Sequence, residues 1–178
     1  MTTEPVPEGL EIAVAINCPQ WQDALPDVEA LVFTAAQAAW AAGQGSDGAQ
    51  STEVSIVLAD DIFSQNLNRE YRSQDKPTNV LSFPASEDGA QQPPEMPVLL
   101  GDIIVAFETT TAEATEQGKG LGDHVCHLVV HGMLHLLGFD HQSAADANDM
   151  EALEIDVLAA LHIANPYGEA IAEDEGAR

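Results

Sequence analysis

The sequence predicts an α+β fold: one compact domain with a single, mostly four-stranded mixed sheet and helices packed on it. Three observations lead there. Four short runs have strand patterning, and helical periodicities are interleaved with them. The chain is 178 residues long and 45% hydrophobic, enough for one sizeable core. No internal repeat and no interdomain linker interrupts it. The domain is expected over residues 1–164, followed by an acidic, frayed tail over 165–178.

The elements follow in order. Leu10, Ile12, Val14 and Ile16 alternate with Glu11, Ala13, Ala15 and Asn17, the period of a half-buried strand. Pro26 opens a helix in which Val28, Leu31, Val32, Ala35, Ala36, Ala39 and Trp40 recur at three- and four-residue steps, with Gly43 as its stop. The stretch GQGSDGAQS is a loop. Val54, Ile56 and Leu58 alternate with small or polar neighbours in a second strand. Asp60 or Asp61 caps a short helix carrying Ile62, Leu67 and Tyr71, which Asp75-Lys76-Pro77 breaks. Residues 79–84, NVLSFP, form a third strand closed by Pro84, and the polar, Pro-rich stretch 85–97 is a loop. Residues 98–107, VLLGDIIVAF, are a fourth strand whose near-continuous apolar run predicts burial on both faces. A short polar helix near 108–117 ends at Gly118 or Gly120. Residues 121–137 read as a buried helix. Residues 144–162 read as an amphipathic one with Met150, Leu153, Val157, Leu158 and Leu161 turned inward.

Composition narrows the function. Five Lys and Arg stand against 30 Asp and Glu, a net charge of −25. That balance excludes a broad basic face that grips DNA or RNA by its phosphates, but not a narrow basic site on an acidic body. Most of the acids read as a solvated surface. The stretch from Ala30 to Ser46 lacks charge but is shorter than the roughly 20 apolar residues of a membrane span. The N-terminus, MTTEPVPEGLE, has neither the basic nor the apolar part of a secretory signal. Two cysteines, Cys18 and Cys126, are too few for a disulfide framework. A cytoplasmic protein without membrane or DNA partners is expected.

The chemistry is concentrated in HVCHLVVHGMLHLLGFDH, residues 124–141. His131 and His135 are four apart, so on a helix their imidazoles leave one face one turn apart. That spacing suits two nitrogens about 2.0–2.1 Å from one Zn²⁺. Gly138 can end the helix in a left-handed conformation, returning His141 toward the same ion. Three neutral imidazoles leave a fourth position for water, the arrangement of a catalytic zinc, and the pKa of such a water falls to about 7. The competing reading is a helix of core histidines satisfied by hydrogen bonds. His124 and His127 share the helix and read as packed, polar-satisfied residues, with His127 also a candidate to support a ligand. His162 reads as incidental, on a different helix. The spacing resembles the metzincin peptidase motif HExxHxxGxxH, but Gly132 stands where those enzymes have a glutamate base. Asp140, beside His141, could take the place of that base, but reads rather as a partner of a ligand or a cap of the turn.

A closer match appears when the motifs are taken together. LNREYRSQDKPTNVLSFP at 67–84, LGDIIVAF at 100–107, HGMLHLLGFDH at 131–141 and MEALE at 150–154 resemble the YbeY family, bacterial single-domain zinc endoribonucleases of ribosomal RNA maturation. The resemblance runs from about residue 53 to 161, in the family's order. It implies a compact α+β fold with an HxxxHxxGxxH-type metal helix, and one Zn²⁺ per chain held by His131, His135 and His141. It also implies cleavage of single-stranded RNA in 16S rRNA 3′-end maturation and ribosome quality control. The partners it implies are the small ribosomal subunit, a small-subunit ribosomal protein and the Era GTPase. Arg72 takes the position of the family's functional arginine, a catalytic and substrate-binding role. Asn79 departs from the family, which often has Asp there.

Arg69, Arg72 and Lys76, three of the five basic residues, lie within eight positions. Arg presents a planar fork matched to phosphate oxygens, so Arg72 is the candidate phosphate ligand, with Arg69 and Lys76 as weaker ones. For those two, ion pairing with Glu70 or Asp75 is the competing reading. Asn68, Ser82 and Asp102 read either as substrate contacts or as structural groups. Two alternatives to the nuclease stay open: a metal-dependent hydrolase of another substrate, peptidase-like, and a non-catalytic ribosome-assembly factor with a structural metal. RNA held near Arg72 and the metal should bind weakly, and less at higher salt.

Overall fold

A computed structural model of the chain describes residues 9–44, 52–85, 98–139 and 143–167. Its elements are β1 (Leu10–Ile16), α1 (Gln20–Ala24), α2 (Val28–Gln44), β2 (Thr52–Ala59), α3 (Asp61–Arg72), β3 (Val80–Pro84), β4 (Val98–Ala106), α4 (Phe107–Gln117), α5 (Leu121–Leu136) and α6 (Ala144–Ala160). The strands form one mixed sheet in the order β1-β2-β4-β3, with β1, β2 and β4 parallel and β3 antiparallel at the edge. The fold is α+β, as expected. Among the described residues, no helix is long and apolar enough to cross a membrane.

Helices cover one face of the sheet fully and the other only in part, since Glu11, Ala13 and Ala15 of β1 are exposed there. The register sets Ser82 opposite Ile103 and Leu81 opposite Ile104, and the pleat sends these pairs to opposite sides. One face carries Val54, Ile56, Leu58, Ile103 and Val105 into the main core with α2, α5 and α6. The other carries Ala59, Leu81 and Ile104 against Leu67 of α3. Burial on both faces, expected for all of 98–107, holds only from Ile103 to Ala106: Leu99 and Asp102 are exposed, and Phe107 starts α4 rather than ending the strand.

Several local expectations need correction. The helix after Pro26 starts at Val28 and runs through Gly43 to Gln44. A Cβ on Gly43 would lie 2.8 Å from Leu137 Cδ1 and 3.2 Å from Leu134 Cδ2, so this glycine permits close packing of α2 on α5. The helix α3 stops at Arg72, before Asp75-Lys76-Pro77, because Ser73 turns left-handed (φ 57°) and its N–H reaches Asn68 O. Asp60 is the cap, accepting from Phe63 N at 2.9 Å. Asp61 instead accepts from Thr109 N and Oγ1 on α4. The helix expected over 144–162 ends at Ala160, so His162 lies in a turn beyond it, not on a helix. Helix α1 has no sequence period to reveal it, being one turn held by Trp21. The fully buried indole donates to Ala59 O at 2.9 Å and meets Phe107 edge-on at 5.0 Å. Most of GQGSDGAQS and of the stretch 85–97 lies outside the described residues, as do residues 168–178.

Gly101 has the strictest requirement. At φ 145° its Cβ would overlap the carbonyl oxygen of Phe83 and lie 2.9 Å from Leu136 Cδ2, where β3, β4 and α5 converge. Gly118 ends α4 at φ 68° with nothing within 4 Å of a Cβ. Gly101→Ala should therefore cost about 3 kcal/mol or more in urea denaturation, and Gly118→Ala only about 1–2 kcal/mol.

Candidate metal centre

Gly132 orients α5. A Cβ at this position would lie 3.0 Å from Ser82 Oγ and 3.1 Å from Ile103 Cγ2, so the helix rests its backbone on β3 and β4 here. Position 132 therefore faces the sheet and has no room for a glutamate base. His131 and His135 then leave the flank of the helix together. Their Nε2 atoms are 3.1 Å apart and their rings meet edge-on at 4.6 Å.

The other nitrogen of His131 is engaged. Nδ1 donates to Glu154 Oε1 at 2.9 Å, and Glu154, on α6, is completely buried. Tyr167 O–H donates to the same carboxylate at 2.9–3.0 Å. His127 Nε2 lies 3.7 Å from it and 3.3 Å from the Tyr167 hydroxyl. Burial alone would raise the Glu154 pKa, but the hydrogen bonds and charge of His127 and His131 hold it at about 2. An ionised acceptor at Nδ1 leaves the lone pair of His131 on Nε2, the atom turned toward His135. Burial and the Glu154 charge push the Tyr167 phenol up, so it stays a donor.

Two convergent Nε2 atoms, one backed by a carboxylate, are a donor set that fits a zinc ion, whose ligand histidines commonly donate their second N–H to a carboxylate. His141 and Asp140 lie outside the described residues. Cys126 is no candidate ligand, since burial pushes its thiol up to about 11.

The endoribonuclease YbeY profile matches residues 16–162. The chain belongs to the endoribonuclease YbeY family. It is 55% identical over 161 residues to the endoribonuclease YbeY of Paramagnetospirillum magneticum, covering 90% of this chain and 97% of that one. It is 48% identical over 173 residues to that of Rhodospirillum rubrum, covering 93% and 86%. Its fold resembles the solution structure of TM1509 from Thermotoga maritima, with a TM-score of 0.50 and 20% identity over 85% of this chain and 92% of that one.

Arg72 ends α3, whose Leu67 packs on the face of the sheet opposite α5. Ser64, Asn68 and Arg72 form one stripe of α3. Ser64 Oγ exchanges hydrogen bonds with the backbone of Thr78, and Asn68 Nδ2 donates to Lys76 O at 2.8 Å, so the stripe faces the segment that feeds β3. Asn68 is thus a structural group. Arg72 is exposed at the stripe's end, with no ion pair among the described residues. Arg69 lies 3.6 Å from Asp75, both more than half exposed, and donates to Asn66, a solvated pairing worth little. Lys76 is exposed, Ser82 lies beneath Gly132, and Asp102 is exposed on β4.

Sequence reasoning missed Glu154 and Tyr167. The signal for Glu154 was available: it shares a helical face with Met150 and Leu158, an acid inside an apolar stripe. Tyr167 fell in the stretch read as frayed tail, yet Asn165–Tyr167 packs back, and Tyr167 N donates to Asn165 Oδ1.

The upper end of α5 is held by Glu113 of α4. Its Oε1 lies 2.9 Å from both His124 Nε2 and Asn79 Nδ2. Asn79→Asp would face that carboxylate with another, and should lower Tm more at pH 8 than at pH 5. Burial lowers the His124 pKa below 6.5, only partly offset by Glu113. The unfolded chain then takes up a proton that the folded chain refuses. Stability from this site is complete above about pH 6.5 and declines as pH drops below it. His124→Gln should flatten that part of the Tm–pH curve.

Proposed function

We propose that this chain is a zinc-dependent, single-strand-specific endoribonuclease acting in 16S rRNA 3′-end maturation and ribosome quality control. The observation that carries the reading is the convergence of His131 and His135 Nε2 at 3.1 Å, with Glu154 engaging the far nitrogen of His131. Membership of the endoribonuclease YbeY family supports RNA as the substrate. His141 would complete the ligand set. When bound, zinc supplies Lewis-acid polarisation of a phosphate oxygen and an acidified water. Glu154 keeps His131 in the ligating tautomer, and the Tyr167 hydroxyl orients Glu154. Arg72 neutralises charge that builds on the phosphate in the transition state. Arg69 and Lys76 add local attraction for the backbone. The small ribosomal subunit, one of its proteins and the Era GTPase are the partners this reading implies. A peptidase-like alternative draws no support from position 132, which is closed off by the sheet.

The test combines metal analysis with RNA cleavage. Wild type should hold one zinc per chain and cut single-stranded RNA. His135→Ala should lose both the metal and the cleavage. Arg72→Ala should keep the metal and lose about 10²–10³ in rate. Removing zinc should leave the far-ultraviolet circular dichroism largely unchanged, whereas a structural metal would take the fold with it. Cleavage undiminished in both variants would overturn the assignment.

A further inference from the structure

On the face of the sheet opposite the histidines, α3, β3 and β4 enclose an open cleft of about 540 Å³. Val57, Leu67 and Ile104 give it an apolar floor, and the rings of Phe63, Tyr71 and Phe83 also line it. Phe63, Leu67 and Tyr71 follow one another at four-residue steps, a single stripe of α3. Tyr71 is 67% exposed, although its ring packs 5.3 Å from that of Phe83 at a tilt of 57°. The ring is thus held in place while much of it remains in solvent. An exposed aromatic that is already ordered loses little entropy when it binds.

Three further observations bear on what occupies it. First, the neighbouring stripe of α3 ends at Arg72, so Arg69, Arg72 and Lys76 lie along the end of this helix and the turn after it, in a chain of net charge −25. Second, the one charged residue among the described residues lining the cleft is Asp102. A carboxylate there repels phosphate, but it can accept from the exocyclic amine of adenine or cytosine. Third, the cleft and the histidine pair flank the same stretch of chain. Tyr71 meets Phe83 on one face, while Gly132 sits over Ser82 and Leu136 approaches Gly101 beside Pro84 on the other. Because β3 is an edge strand, a flexible polymer can pass around it from one face to the other.

We propose that Tyr71, backed by Phe83, is a stacking platform for a nucleobase of the single-stranded RNA, a few nucleotides from the bond that is cut. The proposal rests on the reading of this chain as an RNA-cleaving enzyme. Its logic is that of single-strand binding in general, with bases on aromatic faces and phosphates on adjacent cations. The base enters the apolar cleft with its edge toward Asp102. The following phosphates reach Arg72, and the strand turns over β3 toward His131 and His135. A duplex does not offer an unstacked base, so the platform also selects for single strands.

The experiment uses the zinc-loaded full chain and a short single-stranded oligoribonucleotide, intact or with one abasic residue moved stepwise along it. Tyr71→Ala should raise KM about tenfold with kcat nearly unchanged, and Tyr71→Phe should restore it. In wild type, one abasic position should raise KM by a similar factor, and Tyr71→Ala should erase that sensitivity. Equal KM for Tyr71→Ala and wild type would overturn the platform and assign the aromatic patch to a protein partner. So would a loss confined to kcat, or an abasic effect that persists in Tyr71→Ala. If wild type cleaves no RNA, the nuclease reading falls separately, and fluorescence anisotropy of the same oligonucleotides still decides the platform. A tenfold loss of affinity in Tyr71→Ala, absent for the abasic strand, supports it, and no loss overturns it.

Discussion

A buried carboxylate organises this molecule. Glu154 has no exposed surface, and an ionised group in that position is tolerated only if every lone pair is used. His131 and Tyr167 donate to it and His127 lies 3.7 Å away, and together they tie three parts of the chain together: α5, α6 and the segment after α6. The benefit runs both ways. The histidines keep the acid ionised, and the acid holds the Nδ1 proton of His131, which places the lone pair of that ring on Nε2. Loss of His131 leaves the fully buried carboxylate without its imidazole donor, the costly half of any buried pair. A site organised in this way is specified by its support as much as by its ligands.

The carboxylate can act only because α5 is set at the right depth. Gly132 brings the helix backbone down onto Ser82 and Ile103, and Gly101 lets Leu136 approach where β3 and β4 pair. A side chain at either place would lift the helix. At the other end, Glu113 receives both His124 and Asn79, so the start of β3 and the first turns of α5 share one acceptor. Asn79 suits that position because its amide donates where an aspartate would repel. The histidine-bearing face of the helix is thus positioned by groups outside the histidine cluster itself.

How much of this was legible in the sequence depends on the range of the interaction. Strand alternation and helical periodicity are local, and they located four strands and the long helices. Spacing along one helix is local too, which is why His131 and His135 could be singled out. Gly43 misled because a glycine near a helix end looks like a stop, whereas its role is set by Leu134 and Leu137, far along the chain. Gly132 raised the same ambiguity: beside a histidine it looks like a lost base, and only the position of the sheet shows that a side chain does not fit. Tyr167 was invisible because its partner is thirteen residues away across a turn. Trp21 and α1 escaped since one helical turn has no period to detect.

The acid excess takes on a different meaning once the sheet is known to divide the molecule. Charges more than about 8 Å from a phosphate are largely screened at physiological ionic strength, so the net −25 does not repel RNA as a whole. What matters is the local balance along the path a strand would take. There, Arg72 is exposed and unpaired by any acid among the described residues, while Arg69 is partly spent on Asp75. Few cations mean little counterion release and hence little nonspecific grip. On the proposed reading, selectivity comes instead from an unstacked base against an aromatic ring and from phosphates held at a few local cations. On that reading, an enzyme with so few cations grips most RNA weakly and acts where a single strand is brought to the edge of its sheet.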